Sequence, residues 1–240
     1  MTMSELWLAA ALLCAGFVQG LSGFGFGLVS MSLMPLFMGV KQAAVISTAF
    51  SLLATVSTFA RHYRDYNWRL GAVFLASVCI GVPLGVYFLD RGSEKVLIRV
   101  LGGLMLALAA HEFLLPGRSQ RFPERLTLPL GLFSGAMSGA FNLGGVPSAA
   151  YAYSHAWSRG QIMAFLQIMI TLSCTLRMLL YYKTGLLAGI PWTRALVLTI
   201  PVYAAIWLGH VAFLRIEPRL MRRGIFAFVA VSGFYYLFLH

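Results

Sequence analysis

Residues 20–27 read Gly-Leu-Ser-Gly-Phe-Gly-Phe-Gly, and this stretch interrupts an apolar run that begins at Leu6. A glycine inside a helix costs about 1 kcal/mol relative to alanine. Alternate residues lie on different faces of a helix, so packing against one neighbour does not explain Gly23, Gly25 and Gly27 together. The cluster therefore predicts that one helix ends here and another begins.

A second break of the same kind follows later in the chain. Asn142–Gly145 ends the apolar run 126–141, and Pro147, a residue suited to the first turn of a helix, comes shortly after it. In both halves, glycines four residues apart precede the break, a short apolar stretch follows it, and a basic residue opens a long helix. This order of features predicts an internal duplication, with an N-terminal repeat 1–118 and a C-terminal repeat 119–240.

The composition indicates a membrane environment. Of the 240 residues, 60% are hydrophobic and 10% are charged, whereas soluble domains carry about 25% charged residues. The mean hydropathy is +0.82. The apolar runs recur along the chain, and each has about the length of a spanning helix, roughly 20 residues. We therefore predict an all-α, polytopic membrane protein made of two four-segment repeats, with about eight transmembrane segments.

The net charge of +11 does not indicate nucleic-acid binding, because Lys and Arg lie in short connections between apolar runs, where membrane-flanking charge is expected. Residues 1–6 carry no Lys or Arg, so the first run is expected to be a retained membrane segment rather than a secretory signal. The three cysteines stand far apart, and the histidines show no metal-ligand spacing. We expect no metal, no cofactor and no enzymatic activity.

Broken helices at membrane depth are typical of transporter binding sites. The break exposes N–H groups and the positive end of the helix dipole, and both favour an anion. We therefore predict a small anionic substrate held at the two breaks, with further contributions from a polar helix face and from one arginine. The predicted substrate-binding residues are Ser22, Gly23, Gly25, Gly27, Ser51, Ser138, Gly139, Asn142, Gly144, Gly145 and Arg177.

Two features of the long helices support this prediction. Polar residues share one helix face in the run that follows the first break, and a weaker stripe recurs in its counterpart. Serine and threonine also bond to their own helix backbone, so each one taken alone has a structural interpretation. The first stripe consists of Ser47, Ser51, Thr55, Thr58 and His62, and the second of Gln167, Thr171, Cys174 and Met178.

Arg177 has two interpretations from sequence. It lies about a turn and a half before the polar end of its helix, so it either reaches the membrane interface or faces a cavity and balances the substrate charge. The topology also has two forms. Eight crossings give parallel repeats, whereas re-entrant hairpins at the breaks give inverted repeats with most arginines on the cytoplasmic face. Charge placement favours the second form.

These stretches resemble the sulfite exporter TauE/SafE family. The resemblance rests on residues 20–27, 35–44, 81–85, 131–139 and 142–147, together with the loop 63–68. It implies export of sulfite, an organosulfonate or a related oxyanion across a bacterial inner membrane, coupled to a proton or sodium gradient. The family's first motif commonly ends in consecutive glycines, which phenylalanines interrupt here. We therefore expect the second break, residues 138–147, to carry more of the site.

Other functions stay open at this level. An exporter of an amino-acid-like metabolite would use the same fold, although a bare cation is disfavoured because acidic residues are missing from the interior of the apolar runs. A non-transporting membrane scaffold would not need matched glycine breaks. The sequence leaves the identity of the anion, the coupling ion, the direction of flux and the oligomeric state undetermined.

Overall fold

The structure, a computed structural model, describes residues 3–62, 71–114, 123–188, 190, 192–213 and 218–238. Within this part of the chain the secondary structure is helical, with no strand. The helices are α1 (Met3–Ser22), α2 (Phe26–Leu33), α3 (Val40–His62), α4 (Ala72–Arg91), α5 (Glu94–Leu114), α6 (Thr127–Phe141), α7 (Gly145–Tyr153), α8 (Arg159–Thr184), α9 (Trp192–Val197), α10 (Thr199–Phe213) and α11 (Pro218–Phe238).

The all-α, polytopic prediction is confirmed. Five helices in the described ranges are long and apolar enough to cross a membrane, and shorter apolar helices accompany them. Large apolar side chains such as Ile80, Leu84 and Ile200 are more than half exposed. Such faces suit lipid, because a bilayer replaces the polar coat that a soluble protein needs.

Both predicted helix breaks are present. α1 ends at Ser22 and α2 begins at Phe26, while α6 ends at Phe141 and α7 begins at Gly145. In each half a long helix, a short one and another long one follow in that order. The boundary between the repeats at residues 118 and 119 lies outside the described residues and stays a prediction, as do the number of crossings and the choice between parallel and inverted repeats.

The chain forms two compact units, and each contains segments from both halves of the sequence. The first unit comprises residues 1–43, 92–118 and 190–240. Its main helix pairs are α1 with α10 and α5 with α11. The second unit comprises residues 44–91 and 119–189, and α4 packs along α6 there, with α7 and α8 beside them.

Glycines bring α4 and α6 of the second unit into backbone contact. A Cβ atom added at Gly85 would overlap the carbonyl oxygen of Ala136, and one added at Gly139 would overlap that of Val82. Small residues at such spacings let membrane helices approach closely, and van der Waals contact then stabilises the pair. The glycines that α6 turns toward α4 therefore serve close helix packing.

The first unit uses the same device. A Cβ atom at Gly20 of α1 would overlap the carbonyl oxygen of Ile206 in α10, and one at Gly209 would overlap that of Phe17. In the α5–α11 pair, a Cβ atom at Gly102 would lie 2.8 Å from the carbonyl oxygen of Gly233. The glycine spacing that precedes the first break thus serves helix packing, as it does in the second half.

The loop 63–68 of the family resemblance lies outside the described residues. The same holds for Arg118 and Arg121 of the connection between the halves and for the side chains of Thr58, Arg61, His62 and Arg159, so the predictions that involve them stay untested.

We predict that Gly85→Ala destabilises the protein, whereas Gly103→Ala does not. The Cβ atom at position 85 would meet the backbone of α6, which cannot move aside, but at position 103 it would meet nothing within 4 Å. Overpacking of this kind costs about 1–3 kcal/mol. Thermal unfolding in detergent measures both variants, and an equal melting temperature for the two would contradict the packing account.

Candidate functional site

The second break is a sharp turn at Asn142. α6 ends at Phe141, and Asn142 adopts a left-handed conformation with φ of 59°. The Asn142 N–H donates to the Ser138 carbonyl oxygen at 2.9 Å, and the Leu143 N–H donates to that of Met137 at 3.3 Å. After glycine, asparagine is the residue that best tolerates this backbone region. The backbone of this turn therefore determines the position of the Asn142 side chain.

The start of α7 leaves amide donors available. Gly144 is its N-cap, and the Ser148 N–H donates to the Gly144 carbonyl oxygen at 3.2 Å. Pro147 lies in the first turn, as predicted, and has no N–H. The Gly145 and Val146 N–H groups come before Ser148, whose N–H makes the first hydrogen bond of the helix, so helix geometry gives them no intrahelical partner. Both residues are half-buried, in contrast to the buried Gly144.

Two serines fasten α7 to α6. The Ser134 hydroxyl donates to the Gly144 carbonyl oxygen at 2.8 Å, and its oxygen lies 2.7 Å from the Ser148 hydroxyl oxygen. Because a hydroxyl has one hydrogen to donate, Ser148 must be the donor in the second bond. A Cβ atom at Gly144 would overlap the Ser134 carbonyl oxygen. The break is thus a rigid hairpin, and Gly144 is required for its close approach.

Arg177 of α8 is fully buried, with 0% of its surface exposed. Its Nη1 donates to the Ser138 carbonyl oxygen at 2.9 Å, and its Nη2 donates to Asn142 Oδ1 at 2.6 Å. Nε donates to the Ser173 carbonyl oxygen at 3.3 Å, and Nη2 also contacts the Cys174 sulphur at 3.0 Å. The interpretation that places Arg177 at the membrane interface is therefore wrong, because the guanidinium lies inside the second unit.

The partners of Arg177 leave its charge uncompensated. They are carbonyl oxygens, an amide oxygen and a thiol, and no carboxylate of the described residues pairs with the guanidinium. Ser138 O belongs to the last turn of α6, so the cation lies at the negative end of that helix dipole, which offsets part of its desolvation. A buried cation of this kind favours an anion beside it.

The polar face of α3 joins the same network. Asn142 Nδ2 donates to the hydroxyl oxygens of Ser47 at 2.7 Å and Ser51 at 2.8 Å. Thr55 is buried too, but its hydroxyl donates to carbonyl oxygens of its own helix. The members of the stripe therefore have different roles. Ser47 and Ser51 bond to Asn142, whereas Thr55 bonds to its own helix backbone, as expected of an isolated threonine. In the second stripe, Cys174 contacts Arg177.

The first break is closed by a side chain that the sequence analysis did not single out. Gln19 is buried, its Nε2 donates to the Gly23 carbonyl oxygen at 3.0 Å, and its Oε1 accepts from the Phe26 N–H at 3.0 Å. Gly23 has φ of 79°, a conformation that requires glycine. The Ser22 hydroxyl donates to the Val18 carbonyl oxygen of its own helix at 2.9 Å. The Gln19 side-chain amide thus bridges the two sides of the break, and it occupies the Phe26 N–H that would otherwise be available to an anion.

The structure therefore groups the predicted site residues unevenly. Ser51, Ser138, Asn142 and Arg177 form one hydrogen-bonded network. Gly139 packs against α4, and its carbonyl oxygen accepts from the Tyr181 hydroxyl at 3.3 Å. Gly144 and Gly145 shape the start of α7. The first-break residues Ser22, Gly23, Gly25 and Gly27 lie in the other unit. The role of every one of these residues in substrate binding stays a prediction.

Apolar helices long enough to span a membrane, with a buried cation bonded to the broken end of one of them, are typical of a multi-pass α-helical membrane protein of the transporter class. The family model described as sulfite exporter TauE/SafE matches residues 8–236. The chain belongs to this family, so it is a membrane transporter and not an enzyme.

A curated relative extends the comparison. A protein of Cupriavidus necator named "probable sulfite/organosulfonate exporter TauE" is 26% identical over 209 residues, which cover 83% of this chain and 81% of the relative. No solved structure matches the chain.

We predict that Ser51→Ala destabilises the protein more than Thr55→Val on the same helix. The first change leaves a buried Asn142 N–H without an acceptor, at a cost of about 1–2 kcal/mol. The second removes a hydroxyl that bonds only carbonyl oxygens of its own helix. Thermal unfolding of both variants in detergent tests the difference, and equal losses would refute the inferred role of Asn142.

Proposed function

We propose that this chain exports a small sulfur oxyanion, sulfite or an organosulfonate, across a bacterial inner membrane, driven by a proton or sodium gradient. Membership of the family and the name of the Cupriavidus necator relative support this substrate class. The single observation that supports an anion most directly is Arg177, a fully buried cation with neutral partners.

The proposed site centres on the α6–α7 break. A sulfur oxyanion has several oxygens that accept hydrogen bonds, and the break offers donors of two kinds. The Gly145 and Val146 amides lie at the positive end of the α7 dipole, and Arg177 supplies the full charge. The Ser51 oxygen accepts from Asn142, so the Ser51 hydroxyl hydrogen is not used in that bond. Bonds between an ionised donor and an ionised acceptor are about twice as strong as neutral ones.

An ammonium-bearing, amino-acid-like substrate is less well supported. Its cation would need a carboxylate or a ring of carbonyl oxygens, and the described surroundings of Arg177 provide no carboxylate. The carbonyl oxygens of Ser138 and Ser173 already accept from the guanidinium. The first break is assigned a secondary role, because Gln19 bonds to both of its sides.

We predict that Arg177→Gln lowers sulfite flux in proteoliposomes by about 10- to 100-fold, since charge-assisted bonds contribute about 1.5–3 kcal/mol. Arg177→Lys keeps the charge but loses the planar fork that reaches Ser138 and Asn142, so its flux should be intermediate. The matched control is Arg99→Gln on the exposed face of α5, which should transport as the wild type does.

Two readouts make the result decisive. Size-exclusion profiles and melting temperatures establish that each variant is folded, and flux is then compared per folded protein. Wild-type flux in Arg177→Gln would end the assignment of this site. Absence of flux for sulfite and for alkylsulfonates in the wild-type protein would end the proposed function itself.

A further inference from the structure

Asn142 uses one planar amide to connect three helices of the second unit. From its position after α6, Oδ1 accepts from Arg177 of α8 at 2.6 Å, while Nδ2 donates to Ser47 and Ser51 of α3 at 2.7 and 2.8 Å. Both hydrogens of the amide nitrogen are therefore in use. The side chain is 9% exposed, so water does not readily replace these bonds.

The backbone conformation at position 142 limits which residue types can replace asparagine. Asn142 has φ of 59°, where asparagine, aspartate and glycine are tolerated and most other residues are strained. Each of the three gives the guanidinium a different neighbour: a neutral oxygen, an anionic oxygen or no side chain. Substitutions among these three residues therefore change the side chain while the backbone turn is kept.

The bond between Asn142 and Arg177 is open to competition from a substrate. The acceptor is a neutral amide oxygen, whereas a sulfur oxyanion offers a charged oxygen. An anionic oxygen makes the stronger bond, and it also compensates the buried charge in a medium of low dielectric. An anion that reaches Arg177 therefore gains by taking the Nη2 hydrogen from Oδ1.

Loss of that bond reaches α3, because the amide is rigid. Oδ1 and Nδ2 belong to one plane, and a rotation that moves Oδ1 away from Arg177 also moves Nδ2 relative to Ser47 and Ser51. Anion binding at Arg177 is then linked to the hydrogen bonds between Asn142 and α3. Linkage is reciprocal, so a change that breaks the bonds to α3 also raises the affinity for the anion.

We propose that Asn142 is a positioning residue that competes with the substrate anion for Arg177 and transmits anion binding to Ser47 and Ser51 of α3. The inference rests on the proposed function, because it requires an anion to bind at Arg177. In this role Asn142 couples anion binding to movement of α3 and does more than contact the substrate.

The test compares Asn142→Asp with Asn142→Gly, both of which fit the left-handed turn. In Asn142→Asp a carboxylate pairs with Arg177 and takes the place of the anion, while the two serine hydroxyls turn to donate to it. We expect a higher melting temperature without sulfite, no further rise on adding sulfite, and flux lower by about tenfold or more.

In Asn142→Gly the amide oxygen that competes with the anion for Arg177 is absent. We expect a lower melting temperature without sulfite, a larger rise with sulfite than the wild type shows, and reduced flux because α3 no longer receives the signal. A chloride salt of equal ionic strength is the control for screening. A purely structural Asn142 would not give these opposite responses to sulfite.

The inference is overturned if Asn142→Asp keeps a wild-type response to sulfite, or if Asn142→Gly responds less than the wild type. The proposed function fails in a different experiment of the same series. A wild-type protein that shows no thermal response and no flux with sulfite or alkylsulfonates has no anion site at Arg177, whatever the variants do.

Discussion

The buried guanidinium of Arg177 sets the main constraint on the second unit. A cation in the interior is stable only when its N–H groups find acceptors and its charge finds compensation. The broken end of α6 supplies part of both, because the Ser138 carbonyl oxygen accepts from Arg177 as well as from the Asn142 N–H, and this end of the helix dipole is negative. The turn at Asn142 therefore places two acceptors, the Ser138 carbonyl oxygen and Asn142 Oδ1, against the guanidinium.

Glycine makes that arrangement possible at close range. Along α6, the glycines that face α4 remove the side chains that would separate the two helices. A few residues later, Gly144 lets the first residues of α7 lie against Ser134. Close packing and irregular backbone thus occur in one short stretch, and protein atoms replace the water that would otherwise be needed to satisfy the turn.

The sequence predicted the breaks and the polar stripe because each is a local pattern. Clustered glycines signal a helix end wherever they fall, and serines four residues apart must share a face. It could not choose between the two interpretations of Arg177, because the distance to a helix end does not say which helix lies opposite. Gln19 and the Ser134–Ser148 pair were missed for a related reason. A single amide in an apolar run has no period, and a contact across a turn depends on the path of the backbone.

The central claim is that the amides at the start of α7 are reachable by an anion from water. It is tested most directly by placing a cysteine at Val146 in a chain whose three native cysteines, Cys14, Cys79 and Cys174, are replaced by serine. The rate of maleimide labelling in proteoliposomes is then measured with and without 2-hydroxyethanesulfonate. Our account predicts labelling that the sulfonate slows; a thiol that does not react, or one that reacts equally fast with the sulfonate present, would contradict it.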